Sequence, residues 1–366
     1  MLENTRFRLE NNLGLTVVYF GGSITEGAGA SSYEHCWASK TTAYLKQTYP
    51  DCPIEHVSAA IGGTGTMLGV YRCERDVCSH HPDLVFFEFC VNDMNGDFMQ
   101  LANNTESIIR KIRACNPFCD IVFIYTITWN TADCMAHGDI QSAKAAHSAV
   151  AYVYGLPQID VGEVLFTHIA RHLHEGETPA WMTYTTDAVH PNDMGYQIYT
   201  DTVTEHLQKW FSDAPAPTAL QPHRQPPLLF PPEVSHIGAH MDDACMLADT
   251  DDKWHRVDQS LCARYPRYLE CTEPGGTLTF AFEGTRIDLY FMMARDSGDI
   301  IFSVDDGEEH RLSSWDSYCK SFNRANLGSL VSGLKPGAHT LRLRVAEQKQ
   351  PESEGYAVRI GAFLVL

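Results

Sequence analysis

The stretch 83-DLVFFEFCVND-93 opens as an apolar run with little alternation and closes on an asparagine and an aspartate. An alternating strand has one wet face, whereas a continuous run is the pattern of a parallel strand covered by helices on both sides. The run 120-DIVFIYT-126 has the same character, and related runs lie at 16–20, 54–60 and, more weakly, 157–161. Between them, segments with helical spacing fall at about 35–48, 66–79, 103–115, 139–154 and 193–211. Strands alternating with helices predict an open α/β layer with a parallel sheet over residues 1–211.

At 366 residues the chain is long enough for two cores. The composition shifts at 213-DAPAPTALQPHRQPPLLFPPE-233, where proline forbids regular helix and favours extended chain, so 212–232 is read as a linker. Beyond it the period becomes two. Leu278, Phe280 and Phe282 share a face, as do Ile300, Phe302 and Val304, and Leu341, Leu343 and Val345. The sequence Asp305-Asp306-Gly307 is a hairpin-turn signal. Residues 233–366 therefore read as an all-β sandwich or jelly roll.

A formal net charge of −19, with no basic run to offset it, would repel a phosphate backbone or an anionic bilayer, which excludes nucleic acid and membrane as partners. The opening residues MLENTRFRLENN lack the apolar run of a signal peptide, and no later segment approaches about 18 apolar residues. A cytoplasmic location is expected. The twelve cysteines are scattered, and the spacings of Cys73/Cys78 and Cys115/Cys119 do not suit a paired CxxC zinc site, so they read as reduced thiols. The acidic segment 241-MDDACMLADTDDK-253 lacks an EF-hand pattern and reads as a solvated loop rather than a calcium site. No metal and no cofactor is called for.

Four stretches carry chemistry. In 17-VVYFGGSITEGAGA-30 a strand passes through two glycines to Ser23, which places the serine at the carboxyl end of a parallel sheet, where ligand crevices form. A second Gly-rich turn, 61-IGGTGT-66, follows the next strand, and 91-VND-93 brings an amide and a carboxylate to the same rim. Last, 187-DAVHP-191 sets a carboxylate three residues before a histidine, ahead of the final helix of the layer. Serine hydrolysis needs a nucleophile, a base, a group that orients the base, and donors for the oxyanion. Ser23, His190 and Asp187 fill the first three roles; the Ser23 N–H, the Gly63 N–H and the Asn92 side chain fill the fourth. Ser23 is not in a GxSxG elbow, because Thr25 stands at the second glycine position, and this disfavours the α/β-hydrolase fold.

Over about residues 14–211 this set resembles the SGNH or GDSL hydrolases, whose four blocks contribute Ser, Gly, Asn and His in this order. GGSIT stands for the serine block, IGGTGT for the glycine block, CVND for the asparagine block and DAVHP for the histidine block. Gly63 rather than Gly62 aligns with the oxyanion glycine, given the distance to Gly69 and Arg72. Two positions depart from the family: Gly22 replaces the usual Asp before the serine, and Cys90 the usual Gly two residues before the asparagine. The resemblance implies a three-layer, flavodoxin-like hydrolase domain and acyl transfer through an acyl-serine. It implies no cofactor.

The pairing of such a domain with a β-sandwich is similar to carbohydrate O-acetylesterases that carry a carbohydrate-binding-like module. The expected substrate is then an acetylated hemicellulose oligosaccharide, mannan-derived or xylan-derived, and a homo-oligomer is admitted. Trp129 and Trp181 are the aromatic candidates for sugar stacking near the catalytic edge. Trp315 and Tyr318, in a polar stretch of the sandwich, read as a sugar platform or as a cover for the active site of this or a neighbouring subunit. Two other readings stand beside this one: an SGNH lipase, lysophospholipase or thioesterase for longer acyl chains, and a non-catalytic glycan-binding protein.

Overall fold

A computed structural model describes residues 1–171, 180–212, 215, 217–258, 267–305 and 307–366, and divides into two units, Met1–Ile237 and Gly238–Leu366. In the first unit the chain runs α1 (Glu3–Glu10), β1 (Leu15–Gly21), α2 (Ser23–Glu26), α3 (Trp37–Thr48), β2 (Ile54–Ser58), α4 (Thr66–Asp76), β3 (Leu84–Glu88) and α5 (Phe98–Cys115). It continues through β4 (Asp120–Tyr125), α6 (Trp129–Ala136), α7 (Ser142–Val153), β5 (Gln158–Asp160), α8 (Val161–Ala170), α9 (Trp181–Tyr184) and α10 (Asp193–Ser212). The strands form one parallel sheet in the order β2-β1-β3-β4-β5.

The continuous apolar runs are explained by two covered faces. Tyr19, Phe86 and Ile124 share a core with Trp37 of α3, Leu165 of α8 and Tyr199 of α10. Phe20, Phe87 and Phe123 point the other way, toward Gly69 of α4, next to Ile108 of α5, and His147 of α7. Successive residues of a strand face opposite sides, so no position in these runs is wet. The strand order reverses between β1 and β3, and crevices open outside the carboxyl ends of strands at such a switch point. Ser23 follows β1 and Asn92 follows β3.

Helices α1, α6 and α8 were not legible as periodic segments. α1 is held from outside itself: the Thr5 N–H and hydroxyl both donate to buried Asp120, and Asn4 exchanges bonds with Gln221. The proline-rich segment also differs from its reading as a linker, because it is bonded along the first unit. The Gln221 N–H donates to Asn4 Oδ1 (2.7 Å), the His223 N–H to Pro117 O (2.8 Å) and the Leu229 N–H to Glu106 Oε1 (2.9 Å). Arg110 reaches Pro226 O (2.7 Å), and Asn103 reaches Val234 O (2.6 Å). Proline removes donors but keeps every carbonyl, and polar side chains of α5 take up those carbonyls.

The second unit contains β6 (His240–Asp243), β7 (Asp249–Thr250), β8 (His255–Val257), β9 (Tyr268–Cys271), β10 (Thr277–Met293), β11 (Asp299–Val304), β12 (His310–Ser313), β13 (Arg324–Val345) and β14 (Val358–Val365). All pair antiparallel in the order β12-β11-β13-β10-β14-β9-β8, with β6 on β14 and β7 on β10. The three alternating stretches meet on one face: Phe302 pairs with Leu343, and Leu343 with Leu278. β10 must fold over to close a sandwich. Phe363 pairs beside Leu289, nine residues along β10 from Phe280, a separation of about 30 Å in straight strand. Yet the Phe280 and Phe363 rings stack 4.0 Å apart, and register shifts between Gly284 and Asp288 supply the bend. β11 and β12 form the expected hairpin, whose turn residue Asp306 lies outside the described residues.

The eleven cysteines among the described residues are free, and no metal-holding group of three His, Cys, Asp or Glu side chains occurs among them. No helix among the described residues is long and apolar enough to cross a membrane.

Glu106 ties the proline-rich strap to α5. Its side chain is fully buried and accepts from the Leu229 and Phe230 N–H groups, the Tyr154 hydroxyl and Arg110. Glu106→Ala strands these donors and is expected to lower unfolding stability by about 3 kcal/mol in urea denaturation. A change within about 0.5 kcal/mol would show that the strap is not fastened there.

Candidate active site

β1 delivers the chain to Gly22, which is extended, and Ser23 begins the four-residue helix α2. The neighbouring elements hold this short helix. The Tyr196 hydroxyl of α10 lies 2.9 Å from Ile24 O and 2.7 Å from Ala28 O and donates to this pair. The Ser31 N–H and hydroxyl both donate to Asp193 at the start of α10 (2.8 and 2.6 Å). Buried Arg72 of α4 donates to Gly21 O (3.1 Å) and Ala59 O (2.5 Å), with its guanidinium 4.5 Å from the Phe20 ring.

The loop carrying Asp187 and His190 is pinched by a bridge between Thr185 and Pro191. Ala188 at its tip has φ +64°, a conformation that costs an alanine about 1–2 kcal/mol. The Thr186 N–H donates to His190 O (2.9 Å), the Ala188 N–H to Thr185 Oγ1 (3.0 Å) and the Trp129 N–H to Ala188 O (3.1 Å), and these bonds hold the strained residue in place.

Ser23 Oγ lies 2.8 Å from His190 Nε2, and His190 Nδ1 lies 2.7 Å from Asp187 Oδ2. A carboxylate only accepts, so Nδ1 carries the proton, and the Nε2 of the neutral ring accepts from the serine hydroxyl. Asp187 Oδ1 also accepts from the N–H groups of His190 (2.8 Å) and Val189 (3.0 Å). Burial works against its charge, but the bonds from the His190 N–H and ring and from the Val189 N–H outweigh it and hold the carboxyl below the usual carboxylate range. Asp187 is therefore ionised where a neutral histidine can act as base.

The glycine turn divides its donors. The Gly62 N–H donates to Glu26 Oε2 (2.9 Å), whereas among the described residues nothing accepts from the Gly63 N–H, and Gly63 has φ +74°. Asp93 is turned inward: it accepts from the Thr66 N–H (3.0 Å) and hydroxyl (2.8 Å) and lies 3.0 Å from His147 Nε2, which fastens α4 and the turn before it. Asn92 makes no side-chain bond among the described residues, and neither does the Ser23 N–H. Three donors at this turn and at the two segments beside it thus have no partner among the described residues.

An aspartate at position 22 would displace the Asn92 side chain. A Cβ on Gly22 would lie 1.8 Å from Asn92 Oδ1, so glycine is what admits the asparagine. At the other departure, the Cys90 thiol donates to Gln141 Oε1 (2.8 Å), and Gln141 returns a bond to Cys90 O (3.2 Å).

The aromatic candidates divide. Trp129 (56% exposed), the first residue of α6, stands beside the histidine loop with its ring open, and Tyr318 (63% exposed) is open in the second unit. Trp181 and Trp315 are 9% and 8% exposed. Trp181 is packed near Phe166, and Trp315 donates from Nε1 to Arg295 O (3.2 Å) inside the sandwich core. Their faces are covered by protein, which corrects their reading as sugar-stacking residues. Sequence reasoning passed over Glu26, which shares the serine block and ties it to the glycine turn, and Tyr196, whose only signal was an aromatic on the last helix.

Residues 19–198 match the model of the GDSL-like lipase/acylhydrolase family. The first unit resembles this family. Among solved structures, a two-domain esterase (CEX) active on acetylated mannans aligns at 20% identity over 100% of this chain and 95% of that one, with a TM-score of 0.81. The same esterase co-crystallised with mannopentaose aligns at 19% identity over 100% and 96% of the two chains, also with a TM-score of 0.81. At such identity the likeness establishes a common two-domain fold, an α/β unit followed by a β-sandwich. No curated protein matches the chain.

Gly22→Ala isolates the Asn92 contact, because the φ of −98° at position 22 suits alanine. Displacing the amide is expected to lower kcat for ester hydrolysis about 100-fold, as loss of one oxyanion donor does, with the fold intact by circular dichroism. An unchanged kcat would mean that Asn92 plays no part in the reaction.

Proposed function

We propose that the chain is a serine esterase that removes O-acetyl groups from hemicellulose oligosaccharides. The observation that carries this reading is the continuous relay Ser23–His190–Asp187, at 2.8 and 2.7 Å, near three donors that have no partner among the described residues. His190 Nε2 takes the Ser23 proton as Oγ bonds to the acetyl carbonyl carbon. The carbonyl oxygen becomes an oxyanion, stabilised by the N–H groups of Ser23 and Gly63 and the Asn92 amide, each contributing about 2.7–4 kcal/mol. The imidazolium returns the proton to the sugar oxygen, the ester C–O bond breaks, and acetyl-Ser23 remains. Water attacks the acetyl carbon while His190 takes its proton. Acetate leaves, and the proton passes back to Ser23 Oγ.

The acetylated sugar is supported by the exposed Trp129 at the rim and by the shared two-domain fold with an esterase active on acetylated mannans. An exposed indole offers a flat apolar face to a sugar ring while its neighbours supply polar contacts. Manno-oligosaccharides are thus the first substrates to try, with xylo-oligosaccharides beside them.

Ser23→Ala and His190→Ala are expected to lower acetate release from acetylated manno-oligosaccharides by about 10⁴-fold or more, and Asp187→Asn by less. Serine-independent release would overturn the site. Trp129→Ala is expected to raise KM for the oligosaccharide about tenfold while leaving p-nitrophenyl acetate within about twofold. Equal effects on both substrates would remove Trp129 from sugar recognition, and preference for an eight-carbon ester would move the enzyme to longer acyl chains.

A further inference from the structure

The apolar run of β3 is interrupted by one charged residue, and it stands under the nucleophile. Glu88 ends β3, is 1% exposed and pairs in register with Gly21 of β1. No lysine, arginine or histidine forms an ion pair with it among the described residues. A buried carboxylate without a counter-ion costs several kcal/mol, so packing alone does not account for it.

Its bonds go to the parts that carry the site. Oε2 accepts from the Thr25 hydroxyl of α2 (2.8 Å), and Oε1 accepts from the Thr126 hydroxyl beyond β4 (2.7 Å). Thr126 leads into Thr128, the N-cap of α6, and so to Trp129. α2 spans four residues between Gly22 and Gly27, too short to be stable by its own hydrogen bonds. Gly21 and Gly22 add backbone freedom where the serine must be fixed.

We propose that Glu88 is a positioning residue of the esterase, clamping the turn Gly22–Thr25 so that the Ser23 hydroxyl and N–H keep their alignment with His190 and the oxyanion. This rests on Ser23 being the nucleophile. Glu88 touches no reacting atom and acts through Thr25 and Thr126. As a carboxylate it accepts both bonds; once protonated, one oxygen becomes a donor and the clamp loosens. Burial pushes its pKa up to about 7, with the bonds from Thr126 and Thr25 and the dipole of the Gly22 N–H partly opposing this and Asp93 adding to it. The other titratable groups near it are Cys90 on its own segment and Tyr196 and Tyr199 from α10. The clamp is therefore complete above neutrality and weakens as pH falls through about 7.

The test uses the full chain and p-nitrophenyl acetate, comparing Glu88→Gln with wild type in kcat, KM and the pH dependence of kcat, with Ser23→Ala as reference. Expected are a ten- to hundredfold lower kcat, a KM within about twofold, and loss of one inflection near neutral pH. Thr25→Val and Thr126→Val, which each remove one bond, should lower kcat in the same direction and carry the test if Glu88→Gln fails to fold. Serine-dependent hydrolysis with wild-type kcat and pH profile in the folded variants overturns the clamp alone. Hydrolysis that survives Ser23→Ala overturns the nucleophile and the clamp together.

Discussion

The catalytic edge depends on the register of β1 against β3. With Gly21 opposite Glu88, the turn at Ser23 and the turn at Asn92 leave the sheet side by side at the switch point. Gly22 must then be bare, because the asparagine amide occupies the space where its side chain would be. A slip of one residue would send every side chain of β1 to the opposite face and carry Ser23 away from Asn92. The apolar residues that fill both faces of the sheet set this register, so the core and the site share one constraint.

Polar groups around the site are matched in the same way. The glycine turn is fastened by Glu26 and by Asp93 through Thr66, the serine helix by Tyr196, and the histidine loop by its own bridge and by the Trp129 N–H. Satisfied polar networks in a low-dielectric setting are rigid, and rigidity is what an oxyanion site needs, since its donors must be in place before charge develops. The three donors without a partner among the described residues stand out against this background of satisfied groups.

Much of the architecture was legible because its causes are local. Buried parallel strands read as continuous runs, and the sandwich strands read as period two; Leu278, Phe280, Leu341 and Leu343 lie on the face their alternation indicates. At the candidate site, the sequence singled out Ser23, Asp187 and His190 at turns, and the structure brings these three side chains into contact. Other features depended on distant partners. The prolines at 213–233 suggest free chain until Asn4, Asn103 and Glu106 are known to lie alongside, and α1 lacks a periodic signal because Asp120 holds it. Tryptophan content does not reveal burial, so Trp181 and Trp315 could not be separated from Trp129 by sequence. Glu88 did leave a mark, a carboxylate inside LVFFEFC, but its meaning depends on two threonines from other segments.

The central claim is that an acetyl group passes through Ser23 Oγ. The most direct measurement is to quench the enzyme with acid during turnover of an acetylated manno-oligosaccharide and locate the acetyl group by peptide mass spectrometry. One acetyl group on the peptide containing Ser23, absent from the unreacted enzyme, is the predicted result. Turnover with an acetyl group on another residue would contradict the account.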